Sequence, residues 1–212
     1  MARTVLVLLW AGPGVPPFGA WGPVRVGVLL VLLPYVIGSI PFGVLLARAF
    51  SGVDVRTVGS HNIGATNVVR AAGKTAGVLT LILDALKGAL PTLAARAWLG
   101  LVPGCLVGLC AFLGHLFPIF LKGKGGKGVA TALGVFAVLA PWAALVGLVT
   151  YGAVLGLTRV SALGSLSGAG AVLAAAALLR YPREVLILCA AIDLLILWRH
   201  RSNLAQLARR RG

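Results

Sequence analysis

Acidic residues are scarce in this sequence: its 212 residues include four, against 19 lysines and arginines, and the formal net charge is +15. The four are Asp54, Asp84, Glu184 and Asp193. Sites for Mg²⁺ and Ca²⁺ rely on carboxylate oxygens, so we expect no such ion. Cysteines are also few, and Cys105, Cys110 and Cys189 lie in apolar runs without metal-ligand spacing, which indicates small buried hydrophobic residues. We therefore expect neither a metal nor another cofactor.

Common catalytic and nucleotide-binding motifs are missing as well. None of His61, His115 and His200 is followed five residues later by Asp, so the His-x4-Asp arrangement of many acyltransferases is absent. No Gly-x-Ser-x-Gly elbow occurs. Residues 59–66 come close to a Walker A loop, but Ala65 stands where that loop needs lysine. If the protein is an enzyme, we expect it to bind a preactivated donor and to catalyse by proximity and charge stabilisation.

Charged residues of either sign make up only 11% of the chain, and the mean hydropathy is +1.02. Soluble domains have about 25% charged residues, so the sequence indicates an integral membrane protein. Only helices and closed barrels span a bilayer, and the apolar runs lack the alternation of barrel strands. We predict an all-α integral membrane protein with about seven transmembrane helices. The predicted spans are 24–47, 77–97, 104–121, 129–140, 143–157, 161–179 and 185–198.

Lysines and arginines are divided unevenly between the two sides of these spans. Thirteen lie in the segments 48–75, 122–128, 158–160 and 199–212, whereas the opposite side has five. Because cytoplasmic loops are rich in basic residues, we predict that the N-terminus is outside and the C-terminus cytoplasmic. We divide the chain into an N-terminal extension (1–23), a single transmembrane domain (24–207) and a basic tail (208–212).

Lysines alternate with glycines in the segment 122–131, Lys-Gly-Lys-Gly-Gly-Lys-Gly-Val-Ala-Thr, which lies between two apolar runs. Glycines allow the backbone to approach a ligand closely, and lysines supply mobile positive charges. The segment therefore predicts a site for phosphate or another anion at the membrane surface. A basic loop that sets topology or binds anionic lipid would account for the charge, but it does not need the glycines.

The segment 59–70, Gly-Ser-His-Asn-Ile-Gly-Ala-Thr-Asn-Val-Val-Arg, combines hydroxyl, amide and guanidinium groups with two glycines. These groups suit a polyol phosphate, although a solvated turn with helix caps would also use several of them. Ser161 and Ser165 form a further group, and such serines commonly bond the carbonyl four residues back. His200 and Asn203 form another, where an Arg/His cluster normally anchors the end of a helix.

Asp84, Lys87 and Asp193 fall inside the apolar runs. Charged residues within a membrane segment usually face the protein interior and have a function. Because Asp84 and Lys87 are three residues apart on a predicted helix, we expect them to pair, with a positioning role as the second interpretation. His115 lies near the end of another apolar run, just before the lysine-rich segment, and we favour a packed or hydrogen-bonded side chain there over a catalytic one.

Taken together, these segments resemble the bacterial acyl-phosphate:glycerol-3-phosphate acyltransferases, over about residues 24–207. The matching motifs are Gly-Ser-Ile-Pro-Phe-Gly (38–43), Val-Gly-Ser-His-Asn-Ile-Gly-Ala-Thr-Asn-Val-Val-Arg (58–70), Asp-Ala-Leu-Lys-Gly (84–88), Gly-His-Leu-Phe-Pro (114–118), Lys-Gly-Gly-Lys-Gly-Val-Ala-Thr (124–131) and Arg-His-Arg-Ser-Asn (199–203). The resemblance implies a seven-helix membrane enzyme of phospholipid biosynthesis. Such an enzyme makes 1-acyl-glycerol 3-phosphate (lysophosphatidic acid) and phosphate without using acyl-CoA.

The resemblance also implies roles for individual residues. Its catalytic set is Ser60, Arg70, Lys127, His200 and Asn203. Its substrate-binding set is Asn62, Thr66, Asn67, Lys124, Gly125, Gly126 and Ser165. Arg70 and Lys127 would hold the phosphates of acceptor and donor, and a substrate phosphate oxygen would accept the proton. The implied partners are acyl phosphate, glycerol 3-phosphate, membrane lipids and a cytoplasmic enzyme that forms the acyl phosphate, with no nucleic acid. The implied location is the bacterial cytoplasmic membrane, crossed several times, with the active site facing the cytoplasm.

The sequence departs from the family pattern at three positions. His61 stands where glycine is usual, Gln206 where a basic residue is common, and Ala162 where the first serine of a Tyr-Val-Ser-Leu-x-Ser pattern is expected. Either Ser161 replaces that serine through a register shift or the hydroxyl is dispensable.

Two other functions remain open. A transporter for a phosphorylated anion would have its site near the midplane, often within inverted repeats. Here the polar motifs gather on one side and no repeat is visible. A non-catalytic basic scaffold would explain the charge but not the segment 59–70.

Overall fold

The structure is a computed structural model that describes residues 23–209, and within this range the side chains of 23–26, 207 and 208 are not described. The predicted extension up to residue 22, and the last three residues of the predicted tail, lie outside the described residues. Residues 23–209 form α-helices joined by short connections, without a strand. The helices are α1 Pro23–Ser39, α2 Phe42–Ser51, α3 Ala65–Leu99, α4 Leu101–Leu116, α5 Val129–Leu139, α6 Pro141–Thr158, α7 Ser161–Leu178, α8 Arg183–Arg199 and α9 Arg201–Arg209. The predicted all-helical fold is confirmed.

Five segments of the described chain are long and apolar enough to cross a membrane. They are Gly27–Ser51, Ala65–Leu99, Leu101–Leu121, Pro141–Thr158 and Ser161–Leu178. Helix α5 is apolar but has only 11 residues, and α8 has 17. Since a straight span of the hydrocarbon core needs about 20 residues, the total of seven spans and their orientation stay predictions.

The first predicted span is divided into two helices. Helix α1 ends at Ser39 and α2 begins at Phe42, with Ile40 and Pro41 between them. Proline has no N–H to continue a helical ladder, so the Ile37 carbonyl accepts from the Ile40 N–H at 3.2 Å instead of from residue 41. The Ser39 hydroxyl adds a hydrogen bond to the Tyr35 carbonyl at 2.8 Å. The span predicted as continuous over residues 24–47 is therefore interrupted between Ser39 and Phe42.

The second span belongs to a helix that begins well before its predicted start. Helix α3 starts at Ala65 and continues through Gly73, where φ is 87° and the helix kinks. A glycine tolerates this left-handed conformation without the strain that other residues incur. The polar segment predicted between the first two spans is consequently helical over its last third, and it places Thr66, Asn67 and Arg70 on the first turns of α3.

Close helix contacts depend on glycines. A Cβ atom at Gly168 of α7 would lie 2.8 Å from the Gly147 carbonyl oxygen of α6, and one at Gly164 would lie 2.9 Å from the Tyr151 carbonyl oxygen. The spacing Gly164-x-x-x-Gly168 therefore lets α7 approach α6 closely. The main core lies among α4, α5 and α8, where Phe112, Phe136 and Ile192 are fully buried. All three cysteines are buried and unpaired by disulfides, as predicted.

Candidate functional site

The loop between α2 and α3 is organised by the side chain of Asn67, which is only 2% exposed. Its amide nitrogen is shared among the carbonyl oxygens of Val55, Val58 and Asn62, each at 2.9 Å. Its amide oxygen accepts from the Ser60 backbone N–H at 3.0 Å. One buried side chain thus fixes the backbone of residues 55–62 and presents the exposed Ser60 hydroxyl to one side of the loop.

Further side chains of the same loop bond to its own backbone. Asn62 Oδ1 accepts from the Gly64 N–H at 2.9 Å just before α3 begins. Asp54 accepts from the Arg56 N–H and pairs with the Arg56 guanidinium at 2.6 Å. These hydrogen bonds with Arg56 hold the pKa of Asp54 well below its usual value. The loop is therefore ordered before any ligand arrives.

His61 occupies the position where the family pattern has glycine, and its φ of 55° lies in the left-handed region. This conformation explains why glycine is favoured there. The His61 ring nitrogen Nδ1 lies 2.9 Å from the Arg56 carbonyl oxygen, a hydrogen bond that helps to offset the strain. The turn geometry that glycine would allow is thus kept.

The glycine–lysine loop, residues 122–128, folds against the end of α4. The Gly126 N–H donates to the His115 carbonyl at 3.2 Å. A Cβ atom at Gly126 would overlap His115 Nε2, and one at Gly125 would overlap Pro118 and the His115 carbonyl. From the other side, the Arg199 guanidinium donates to the Gly126 carbonyl at 2.9 Å and to the Gly125 carbonyl. Both glycines are required because the backbone is enclosed on two sides.

Lys127 follows these glycines, and its amine donates to Asn203 Oδ1 at 2.5 Å. Burial, and then the positive charges of Arg199 and Arg70, lower the pKa of Lys127 to about 8. Arg70 is exposed and its side chain lies along the turn at Gly59. Cationic groups from the loop, from α8 and from α3 therefore face one region, which is suited to an anion.

His200 lies beside this region, between α8 and α9, and is 1% exposed. Its Nδ1 is 2.8 Å from the Ile196 carbonyl oxygen, so this nitrogen carries the proton and Nε2 is left as an acceptor. Burial is the larger cause, and the Lys127 charge a smaller one, of a His200 pKa lowered to about 4. The ring is consequently neutral at pH 7.

A chain of hydroxyl groups joins the first turns of α3 and α7 to Tyr151 in the second half of α6. The Ser161 hydroxyl lies 3.2 Å from that of Thr66 and 3.2 Å from that of Tyr151. The Ser165 hydroxyl donates to the Ser161 carbonyl at 2.9 Å, the back-bonding expected of a helical serine. Among the residues that the structure describes, no group of three or more His, Cys, Asp or Glu side chains is placed to hold a metal ion.

Residues 28–210 match the family model described as glycerol-3-phosphate acyltransferase. The glycerol-3-phosphate acyltransferase of Anaeromyxobacter dehalogenans is 56% identical over 194 residues, which cover 88% of this chain and 96% of that protein. That of Myxococcus xanthus is 54% identical and covers 85% of this chain and 95% of its own length. This chain belongs to the glycerol-3-phosphate acyltransferase family. The resemblance inferred from its motifs is confirmed.

Two solved structures of PlsY (YgiH), an integral membrane glycerol 3-phosphate acyltransferase, share the fold. The glycerol 3-phosphate form has a TM-score of 0.84 and 40% identity, covering 88% of this chain and 94% of the other. The lysophosphatidic acid form has a TM-score of 0.82 and 39% identity over the same shares. The predicted multi-pass integral membrane fold is thereby confirmed, and the family places this acyltransferase in lipid biosynthesis.

The structure brings some of the predicted site residues together and gives others a supporting position. The Lys127 amine contacts Asn203. Besides burial, the charge of Arg70 lowers the pKa of Lys127, and the charge of Lys127 lowers that of His200, so these side chains lie in one electrostatic neighbourhood. The side chains of Asn62 and Asn67 bond the backbone of their own loop. Direct contact of any predicted residue with a substrate stays a prediction.

Two further side chains, which the motifs do not predict as site residues, contact the candidate site. Tyr151 lies in the apolar helix α6, and only its hydroxyl contact with Ser161 distinguishes it from a core aromatic residue. Arg199 was expected to anchor a helix end, whereas its guanidinium binds the Gly125 and Gly126 carbonyls. The sequence shows Arg199 as part of the motif at residues 199–203. It does not show that Arg199 binds the carbonyl of Gly126, which lies 73 residues earlier in the chain.

Proposed function

We propose that this acyltransferase moves the acyl group of an acyl phosphate to glycerol 3-phosphate, giving 1-acyl-glycerol 3-phosphate and inorganic phosphate. The observation that carries the proposal is the meeting of Lys127 with Asn203 in a region that also receives the charges of Arg70 and Arg199. Two phosphate groups have to be accommodated in this reaction, and cationic groups on separate elements suit them. The two PlsY structures, a glycerol 3-phosphate form and a lysophosphatidic acid form, support the acceptor and the product.

An activated donor fits the side chains of the site. These are cations, amides, hydroxyls and a neutral imidazole, and the sequence lacks the nucleophile motifs that would form an acyl-enzyme. An acyl phosphate already has a good leaving group. Lys127, with a pKa of about 8, is mostly protonated at pH 7 and would stabilise the charge that develops on the departing phosphate.

The chemical step is direct transfer. The glycerol hydroxyl oxygen forms a bond with the acyl carbonyl carbon, and the bond between that carbon and the bridging phosphate oxygen breaks. The hydroxyl proton passes to a phosphate oxygen of the substrates. His200 Nε2 is available to accept a hydrogen bond from a substrate hydroxyl, but its pKa of about 4 makes it a weak base. Positioning by the loops then supplies much of the rate.

The site is proposed to face the cytoplasm. The segments that build it, the loops after α2 and α4 and the chain after α8, are the strongly basic ones, and basic loops are retained on the cytoplasmic side. A cytoplasmic site also has access to soluble glycerol 3-phosphate and to an enzyme that forms the acyl phosphate. The acyl chain would remain among membrane lipids.

The test uses purified protein in lipid nanodiscs, supplied with glycerol 3-phosphate and either palmitoyl phosphate or palmitoyl-CoA. We expect lysophosphatidic acid and phosphate from the acyl phosphate alone. Lys127→Ala and Arg70→Ala are expected to lower kcat/KM by about 100-fold or more, as loss of charge stabilisation does. The matched controls are Lys122→Ala in the same loop and Lys74→Ala one turn after Arg70, both exposed.

Three outcomes contradict the proposal in different ways. Product from palmitoyl-CoA alone overturns the donor. Full activity of both Lys127→Ala and Arg70→Ala would leave the proposed reaction standing but would contradict the proposed site. Binding of glycerol 3-phosphate with no product from either donor favours a transporter, which flux into vesicles would then establish.

A further inference from the structure

Three ionisable side chains meet inside the helix bundle, and one of them lies against the glycine–lysine loop. Asp84 and Lys87 on α3 and His115 on α4 are 2%, 4% and 3% exposed. Lys87 Nζ lies 2.7 Å from Asp84 Oδ1, and His115 Nδ1 lies 3.6 Å from the same oxygen. The pairing predicted for Asp84 and Lys87 is confirmed, and His115 is packed as predicted.

Lys87 also joins this cluster to the broken first span. Its amine donates to the Ile40 carbonyl at 2.8 Å, between α1 and α2. A buried ammonium needs such partners, because an unpaired charge in a low-dielectric interior is strongly destabilising. Lys87 therefore connects the break in the first span to Asp84 and, through Asp84, to His115.

His115 joins the cluster to the glycine–lysine loop. One edge of its ring faces Asp84 through Nδ1. The opposite edge faces Gly126 so closely that any side chain there would overlap Nε2. The His115 carbonyl accepts from the Gly126 N–H at 3.2 Å. Both the ring and the backbone carbonyl of His115 therefore contact Gly126, the residue that immediately precedes Lys127.

We propose that Asp84, Lys87 and His115 act as positioning residues that fix the backbone at Gly126 and so place the Lys127 amine. This inference rests on the proposed function, because it assigns the cluster to the site at Lys127. The three residues are not catalytic, since their side chains are enclosed in the bundle. Asp84 Oδ1 faces His115 Nδ1 at 3.6 Å, a distance longer than a hydrogen bond, so its charge attracts that edge of the ring. The opposite edge of the ring packs against Gly126, and the Arg199 guanidinium holds the Gly126 carbonyl.

A buried ion pair is weak support for a purely stabilising role, since hydrophobic replacements of similar size are often as stable. A positioning role and a stabilising role predict different behaviour for a variant that lacks both charges. Replacing both charges, as in the double variant Asp84→Leu/Lys87→Met, avoids leaving one charge unpaired. We expect this protein to keep its thermal midpoint within a few degrees and still to lose activity, because His115 no longer has its carboxylate.

The kinetic experiment compares Asp84→Asn, His115→Gln and the double variant with wild type in nanodiscs, using palmitoyl phosphate and glycerol 3-phosphate. We expect kcat/KM to fall by about 10- to 100-fold in each, the effect of misplacing a catalytic group by about 1 Å. Asp193→Asn is the matched control: Asp193 is a second carboxylate within an apolar helix, with one buried oxygen that lacks a hydrogen-bond partner. We expect it to stay within threefold of wild type.

Combination with Asn203→Ala distinguishes positioning from general stability. Asn203 touches Lys127 directly, so Asp84→Asn and Asn203→Ala would disturb the same amine. If the two single variants act on the same amine, the relative kcat/KM of Asp84→Asn/Asn203→Ala should exceed the product of the relative kcat/KM values of the two single variants. We expect the excess to be at least about fivefold, as for coupled sites. Independent effects that multiply, or an Asp84→Leu/Lys87→Met protein with full activity, would overturn the inference. An inactive wild type would instead contradict the proposed function, which keeps the two failures apart.

Discussion

Lys127 Nζ donates a 2.5 Å hydrogen bond to Asn203 Oδ1, which joins residues 76 positions apart in the sequence. The contact connects the glycine–lysine loop to the first turn of α9. Because the acceptor is a neutral amide, it orients the Lys127 amine without cancelling its charge. A carboxylate here would form an ion pair, and the amine would then be less available to a phosphate.

Replacement of Asn203 tests this distinction. We expect Asn203→Ala to lower kcat/KM about 10-fold, the size of a lost hydrogen bond to a charged group. We expect Asn203→Asp to be worse, since its carboxylate would pair with Lys127 and repel phosphate. Initial rates at several substrate concentrations measure both, with the exposed Gln206→Ala on the same helix as control. An Asn203→Asp enzyme as active as wild type would show that Lys127 does not need a free charge.

The Lys127 amine also predicts how activity depends on pH. Its pKa is lowered to about 8, chiefly by burial, so it is charged below that pH and neutral above it. We expect kcat/KM to fall as pH rises through about 8, since this ratio reports ionisation of the free enzyme. Rates from pH 6 to 10, corrected for spontaneous hydrolysis of the donor, give the curve.

Lys127→Arg provides the control for this assignment. A guanidinium stays charged throughout that pH range, so the alkaline fall should move to higher pH even though the variant is less active at pH 7. The same midpoint in the wild-type and Lys127→Arg curves would assign the ionisation to another group.

Asn67 offers a test of the first loop. We expect Asn67→Ala to reduce kcat/KM by more than 10-fold, because three carbonyls and the Ser60 N–H lose one shared partner. The loop should also be cleaved faster by proteases between residues 55 and 62, while the thermal midpoint of the bundle changes less. Thr75→Ala, exposed on the same helix, is the control. Lost activity with unchanged proteolysis would instead support a direct role of Asn67 in substrate binding.

The sequence predicts some helices of this fold better than others, and the reasons are physical. Hydropathy located the apolar helices because membrane spans need long apolar runs. It missed the start of α3, because the first turns of that helix, around Thr66, Asn67 and Arg70, are polar and resemble a loop. The kink at Gly73 hid the continuity further, since a glycine at φ 87° normally marks a helix end.

Contacts between distant residues were the harder part of the site. Motifs identified Lys127 and Asn203 separately, but a sequence does not state which loops meet. The same limit applies to His115, where helical spacing correctly paired Asp84 with Lys87 on one helix, yet the third member comes from α4. A resemblance to a family supplies residue types at positions, whereas only packing shows that Gly126 lies against the His115 ring.

The hydroxyl contacts of Ser161, which lies where the sequence departs from the family pattern, predict a role for this serine. Ser161 lies 3.2 Å from both Thr66 and Tyr151, whereas the Ser165 hydroxyl bonds a carbonyl of its own helix. We expect Ser161→Ala to lower kcat/KM about 10-fold and Tyr151→Phe about threefold, in keeping with the loss of one or two neutral hydrogen bonds. Ser165→Ala should have a smaller effect than Ser161→Ala.

Kinetics with glycerol 3-phosphate as the varied substrate decide the order of these effects, with the exposed Ser167→Ala on the same helix as control. A larger loss in Ser165→Ala than in Ser161→Ala would reverse the assignment and make Ser165 the hydroxyl that the acceptor uses.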